Sequence, residues 1–446
     1  MLEKVRNIFK IPDLKKKILI TLSLLIVYRA GCFIPTPGID TSALSKFFAE
    51  MAKNQGQTLL GMLNLFTGGA LTRLSIFALG IMPYISASII MQLLTAVIPA
   101  LERLAREGRA GYEKINQLTR YLTFVLCTVQ GAFLSFWLSN PNNFNQKVIV
   151  PEPGVFFTLI TVLTLTGGTV FIMWLGEQIQ ERGIGNGISL IITASIMSRI
   201  PSSVIQMATL YKEGQIAVPK LISLIIVWFL VVVAVVLFTQ AQRRIPVQYG
   251  KRIVGRKVYG GQSTYLPIRV DMAGVIAIIF ANSVILFPAT LAAFMPKKLW
   301  IFNKLQFLLQ ERGWPYNLIF AGLIMFFMYF YTAIQFNPIE ISNNLKKYGG
   351  FVPGIRPGRP TADYLDYVAT RIVFVGAVYI SAIAIFPNIV MGLFKVPSYG
   401  LASLFGGTTL LIMVGVVLDT MKQIEGQLLL RHYDGFIKGG SLKSRR

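Results

Sequence analysis

Acidic residues are scarce in this chain and lie outside its hydrophobic middles. Nineteen Asp and Glu stand against 43 Lys and Arg, and all nineteen fall in loops, tails or helix ends, with Asp271 and Asp419 the nearest to membrane depth. A proton- or sodium-coupled carrier usually needs an ionisable group near the bilayer midplane, so this distribution speaks against that class. One histidine, His432, sits in the carboxyl-terminal tail. Without a membrane-embedded His or paired Asp, neither a Ser–His nor an aspartyl protease can be assembled. No G-x-x-x-x-G-K-[ST] loop is present to cradle ATP, and the glycine-rich GIGNG after Arg182 reads as a turn between spans. The two cysteines, Cys32 and Cys127, fall in different candidate helices without paired spacing, which points to packing and not to a disulfide framework or a metal knuckle. No enzyme, cofactor or metal is expected, and any energy for transport must come from outside the chain.

What is abundant is apolar length. Hydrophobic residues make up 54% and charged residues 14%, where a soluble domain carries about 25% charged. Ten segments are long enough to span a bilayer: 18–36, 73–96, 119–139, 155–175, 184–202, 219–240, 270–294, 314–336, 372–394 and 401–419. The fifth is interrupted near its end by Arg199. Lys15, Lys16 and Lys17 precede the first run, which ends without a small-residue cleavage site and reads as a retained span. Of the 43 Lys and Arg, 30 fall in the amino terminus, the even-to-odd loops and the carboxyl tail, 12 lie on the other side, and Arg29 lies inside the first span. The side richer in Lys and Arg is cytoplasmic, so both termini are expected inside the cell, and most of the net charge of +24 follows from topology.

One stretch does not fit a simple span. Thr58 to Leu71 is apolar but broken by Gly61, Asn64, Thr67, Gly68 and Gly69. A helix of that length cannot cross a ~30 Å hydrocarbon core. Irregular backbone survives at membrane depth only where protein buries it or it lines a watery cavity. The segment is therefore expected to fold back into a cavity, weakly held, because glycine costs about 1 kcal/mol relative to alanine in a helix. The alternative is an interfacial amphipathic helix, which would normally show a strong polar face. The following run, from Arg73 to Ala96, is long enough to span.

GGALTRLSIFALGIMPYISASIIMQLL, followed through the chain by WLGEQIQERGIGNGIS, STYLPIRVDMAGVI, ILFPAT, FVPGIRPGRPTADYLD and GGTTLLI and preceded by FIPTPGID, resembles the SecY family, the central channel subunits of the bacterial Sec protein translocase. The motifs stand in family order from Phe33 to Ile412. The resemblance implies an all-α membrane protein of ten helices in two pseudo-symmetric halves: residues 1–202, including a plug at 58–71, and residues 203–419, followed by a cytosolic tail from 420 to 446. It implies a channel in the cytoplasmic membrane that passes unfolded polypeptide outward and releases hydrophobic helices sideways. The implied partners are SecE-like and SecG-like small subunits, the SecA motor, the ribosome, signal peptides and nascent chains, and anionic lipid. A secondary transporter of five-plus-five inverted repeats is the rival reading.

Residue readings follow. Ile81 and Ile85, and likewise Ile188 and Ile192, are one helical turn apart on one face. Ile279 and Ile412 lie near the middles of two further spans. Isoleucine in a membrane helix is ordinarily packing or lipid surface, but the six match the family's pore ring, a collar that blocks ions by dewetting and yields around a threading peptide. Leu60, Gly61, Asn64, Phe66, Gly68 and Gly69 belong to the plug reading. Ser86, Gln130 and Asn282 correspond to the family's lateral gate, where weak interhelical hydrogen bonds of about 0.6 kcal/mol would let a seam open. Two basic loops, Ala241 to Arg269 and Asn337 to Arg371, suit docking to an acidic partner. Their candidate contacts are Arg243, Arg244, Lys251, Arg252, Arg356 and Arg359, with Arg244 and Arg356 matching functional loop arginines of the family. RIVGRKVYGG reads as a protruding β-hairpin. Arg29 and Arg73 would cost ~2.5–3.5 kcal/mol at a lipid-exposed helix centre and are expected at the outer interface or in a polar funnel. Ala277 stands where the family often has proline, removing a kink from the seventh span.

Overall fold

The computed structural model describes residues 11–54, 64, 66–144, 148–214, 217–249, 252–254, 257–259, 263–294, 314–394 and 407–439. Leu60, Gly61 and Lys251 lie outside them. Helices occupy every candidate span. In chain order they are α1 (Pro12–Gly31), α2 (Thr41–Asn54), α3 (Met82–Val97), α4 (Pro99–Arg106), α5 (Arg109–Ser139), α6 (Val155–Arg182), α7 (Gly187–Met197), α8 (Ile200–Lys212) and α9 (Val218–Gln240). They continue with α10 (Val275–Phe294), α11 (Trp314–Gln335), α12 (Pro338–Lys347), α13 (Arg359–Phe394) and α14 (Gly407–Gly439). Local chemistry sets several starts. Proline stands in the first turn of α1, α3, α4, α8, α9 and α12, where its missing N–H costs nothing. Asn186 and Asn337 cap α7 and α12, each accepting from a backbone N–H at 3.2 Å.

Among the described residues, seven helical stretches are long and apolar enough to cross a membrane by themselves. Helix α3 reaches that length only together with α4, from which it is bent by 98°. The structure corrects three boundaries. The second span does not begin as helix at Arg73: a 3₁₀ turn at Leu71–Arg73 gives way to non-helical backbone, and α3 starts at Met82, with Pro83 in its first turn. The fifth breaks at Ser198–Arg199 into α7 and α8. The tenth runs on without a break past residue 420 to Gly439, so the first part of the expected tail continues the last span as helix.

The membrane helices share one continuous apolar core. Helices α5 and α6 are also joined near one end by a two-pronged ion pair, Arg120 to Glu177 at 2.8 and 3.0 Å. The two basic loops fold as one body. Strand β1 (Gln242–Tyr249) pairs antiparallel with β4 (Ser263–Arg269) and, on its other edge, with β5 (Gly350–Phe351) from the second loop. Ile245, Ile268, Val352 and Leu365 form a small core beneath this sheet. The expected hairpin is present: β2 (Arg252–Val254) pairs with β3 (Lys257–Tyr259), Ile253 opposite Val258.

Candidate functional site

The stretch from Asn64 to Ile81 is irregular and mostly buried. Asn64 organises its first turn. Its carbonyl accepts from the Gly69 N–H at 2.9 Å and its side-chain oxygen from the Thr72 N–H at 3.3 Å. Gly68 and Gly69 take positive φ, +64° and +91°, a region closed to most side chains. Phe66, Ala70 and Leu71 sink into the common core. On leaving the turn, the backbone is clamped by the loop after α1: Thr36 N–H donates to the Leu74 carbonyl at 2.8 Å and Ile76 N–H to the Ile34 carbonyl at 2.9 Å. The described part of the segment is thus packed inside the protein, as its irregular backbone demands.

The six isoleucines all belong to, or pack against, the same large apolar core as this segment. Ile81, Ile85, Ile192, Ile279 and Ile412 are buried members of one apolar cluster, and Ile188 is half-buried against it. Ile81 is not within helix but at the N-cap of α3, yet the Ile85 N–H donates to its carbonyl at 3.1 Å, which keeps the pair one turn apart. A cavity of about 430 Å³ opens next to this cluster, walled by Asn186, Ser189, Arg269, Asp271, Asp419 and Lys422 among others. Of the helices that line it, α7, α10 and α14 carry one of these isoleucines about one turn from a lining residue, α9 and α11 line it without one, and none of its lining residues comes from α3. Ser189 precedes Ile192 by three residues, Val275 precedes Ile279 by four, and Val416 follows Ile412 by four, and all three line the cavity. The cavity thus lies about one turn from Ile192, Ile279 and Ile412 along their own helices. Asp271, in the turn before α10, outside the membrane-spanning helices, accepts from the Gly274 N–H at 2.8 Å. Loss of water at the cavity wall pushes its carboxyl up to about 6, helped by the charge of Asp419 and opposed by the Gly274 hydrogen bond, Lys422 and Arg269.

The three seam residues are brought to neighbouring faces of α3, α5 and α10, which pack on one another. Ser86 and Gln130 line a single cavity of about 20 Å³, room for roughly one water. Leu71 and Ala78 close it on one side and Leu286 on the other. Asn282, one turn before Leu286, is buried, and its amide nitrogen has no hydrogen-bond partner among the described residues. The expectation of hydrogen bonds across this seam is corrected: among the described residues none joins Ser86, Gln130 and Asn282. Ser86 and Gln130 instead share the small cavity, whose other lining is mostly aliphatic. Ala277 is fully buried in α10, a helix that keeps one proline, Pro288.

Arg243, Arg244, Arg356 and Arg359 are all exposed. Arg243 and Arg244 stand in β1, Arg356 lies in the second loop and Arg359 at the start of α13, and the pairing of β1 with β5 ties these two loops together. Arg252 lies in strand β2 of the hairpin. Sequence reasoning left Arg29 without a partner; its guanidinium donates to the Gly68 carbonyl at 2.9 Å. Only the left-handed pair Gly68-Gly69 hinted that a carbonyl there would turn away from regular structure.

A sequence model of the SecY family matches residues 75–421. The protein translocase subunit SecY of Streptomyces scabiei is 46% identical over 452 residues, covering 98% of this chain and 100% of that relative. The chain belongs to the SecY family. The SecY subunit of Thermotoga maritima is 43% identical over 448 residues, with both chains covered completely. Among solved structures, one described as a protein-conducting channel superposes with a TM-score of 0.67 at 18% identity, covering 96% of this chain and 95% of that one. Another, whose description assigns the SecY plug domain to stabilising the closed channel, gives 0.66 at 17% identity, with the same coverage. These two establish the fold. As a SecY-family member, the chain is a multi-pass, all-α channel subunit of a protein translocase, and not an enzyme. The reading as a secondary transporter is set aside.

Proposed function

We propose that this chain passes unfolded polypeptide through the waist formed by Ile81, Ile85, Ile188, Ile192, Ile279 and Ile412. Hydrophilic segments go on outward, and hydrophobic ones leave between α3, α5 and α10 at Ser86, Gln130 and Asn282. The observation that supports this reading is that the six isoleucines, from four spans, share one apolar core with the buried residues of the 64–81 segment, and that three of them stand about one turn from residues lining a cavity walled by Asp271, Asp419 and Lys422. Flexible aliphatic side chains exclude ions by dewetting and still part around a peptide. Residues 58–71 act as the plug. The first five spans, to residue 202, and the last five, from 203 to 419, act as two halves, with both termini in the cytoplasm and the chain in the inner membrane.

The surface carrying Arg243, Arg244, Arg356 and Arg359, with Lys251 and with Arg252 of the hairpin, docks a driver with an acidic surface. For this chain the drivers are a SecA-like motor and the ribosome, whose RNA phosphates such arginines suit. A structural relative described as Sec61 in a canine ribosome–channel complex, with a TM-score of 0.63, supports the second driver. SecE-like and SecG-like subunits complete the assembly in a bilayer containing anionic lipid, and signal peptides enter at the seam.

The test is crosslinking of a stalled secretory chain to cysteines placed at Ile85 and Ile192, with Cys32 and Cys127 replaced by alanine. Crosslinks at both positions and none at the exposed controls Phe229 and Leu237 are expected. Crosslinks at the controls alone would overturn the pore assignment.

A further inference from the structure

We infer that Arg29 is the latch of the plug: its guanidinium, reaching out of the last turn of α1, holds the plug turn in its seat through the Gly68 carbonyl. The inference rests on the plug reading above and adds to it the residue that keeps the plug closed.

Arg29 stands one turn from the end of an apolar helix, half-buried, and no carboxylate pairs with it among the described residues. A guanidinium in such a place needs acceptors. It has one at 2.9 Å, the Gly68 carbonyl, and it lies over the Phe33 ring at 5.0 Å. Arg73 at the plug exit lies over the same ring at 4.6 Å. The seat is tight. A Cβ added at Gly68 would come within 3.1 Å of both the Arg29 guanidinium and the Ser195 Cα of α7. The Tyr28 hydroxyl and Ser195 Oγ, 2.6 Å apart, hydrogen-bond α1 to α7 beside this point. The floor of the seat is therefore fixed independently of the plug.

The two ends of the segment are held differently. At its exit the backbone is bridged to the loop after α1 by two main-chain hydrogen bonds, Thr36 to Leu74 and Ile76 to Ile34. At Gly68 the turn is tied to α1 by one side-chain donor. A hydrogen bond from a cation is stronger than a neutral one, and it transfers readily to water or to another carbonyl. Release of Arg29 therefore frees the turn at Gly68 while the bridge at residues 74–76 keeps the segment attached, the arrangement of a latch opposite a hinge.

The test uses the full chain in membrane vesicles with its co-purifying subunits. Arg29→Met keeps side-chain length and removes the donor. Two readouts are compared: resting ion leak, and the rate of backbone hydrogen exchange over residues 66–72. Arg29→Met is expected to raise leak several-fold, to about the level given by deletion of residues 58–71. It should add nothing to that deletion and, in the undeleted chain, should speed exchange at residues 66–72 several-fold. Arg29→Lys, which keeps the charge but loses the planar donor, should fall between, and carries the comparison if the methionine variant fails to assemble. An unchanged leak in a protein whose plug deletion does leak would overturn the latch and leave the plug standing. Failure of the deletion itself to leak would strike the plug reading, while the exchange rate would still report whether Arg29 holds the turn at Gly68. An unaltered exchange rate, or a leak additive with the deletion, overturns the latch.

Discussion

The side chain of Gln423 accepts a hydrogen bond from the backbone N–H of Gly185 at 3.0 Å, joining the extension of α14 beyond residue 420 to the turn before α7. This contact bridges the first five spans and the last five. It is solvent-exposed, so its net worth is at the low end of ~0.5–1.5 kcal/mol. Gln423→Leu should raise spontaneous opening in single-channel recordings no more than about tenfold. Gly185→Ala should be much worse, because Gly185 has φ +89° and an added Cβ would meet Leu190 at 2.9 Å and Thr420 at 3.1 Å. Equal effects of the two would show that the turn's conformation does not matter to the joint.

Widening the waist tests the isoleucines as a set. Replacing Ile81, Ile85, Ile188 and Ile192 with glycine should increase ion conductance once the plug is displaced. Ile192→Ala alone, at a buried site, should also lower thermal stability by about 2–5 kcal/mol. Lost stability with unaltered conductance would assign these side chains to packing only.

The arginine surface should respond to charge, not to fold. Arg356 is exposed, and only its carbonyl is used internally, accepting from the Thr361 hydroxyl at 2.8 Å. Arg356→Glu should leave the melting temperature unchanged and slow SecA-driven translocation, with the defect shrinking as salt rises and screens both forms. Normal rates at low salt would remove the docking role.

Acidification should stabilise the cavity wall. Asp271 titrates near 6 in the folded chain, above the ordinary carboxylate value, so the native state binds the extra proton between about pH 4 and 6. Stability from this group therefore falls as pH rises through that window and is lowest above it. Asp271→Asn, which keeps an oxygen for the Gly274 N–H, should raise the melting temperature at pH 7 and flatten its dependence between pH 4 and 7. A parallel pH profile in the variant would place the titration elsewhere.

What the chain's order of residues determined by itself was whatever physics reads locally. Apolar length set the number of spans, and basic residues in alternate loops set the expected orientation. The missing midplane carboxylates excluded chemistry, and a glycine-broken segment too short to cross had to be buried. The hairpin at RIVGRKVYGG was legible because alternation between two turn signals is also local. The six proposed pore positions and the three proposed seam residues were assigned only through the family resemblance. Isoleucine periodicity looks the same whether it faces lipid, a neighbour or a pore. The tertiary structure alone decided the rest. Helix α3 begins at Met82 because the 64–81 backbone closes on itself in short turns, Gly69 N–H to Asn64 and Gly80 N–H to Phe77 among them, and is bridged to the loop after α1 at Leu74 and Ile76. The basic loops are tied together because β5 finds an edge of β1 about a hundred residues earlier. Arg29 finds Gly68 because a lone guanidinium in an apolar wall must have an oxygen, and only the folded chain brings one there.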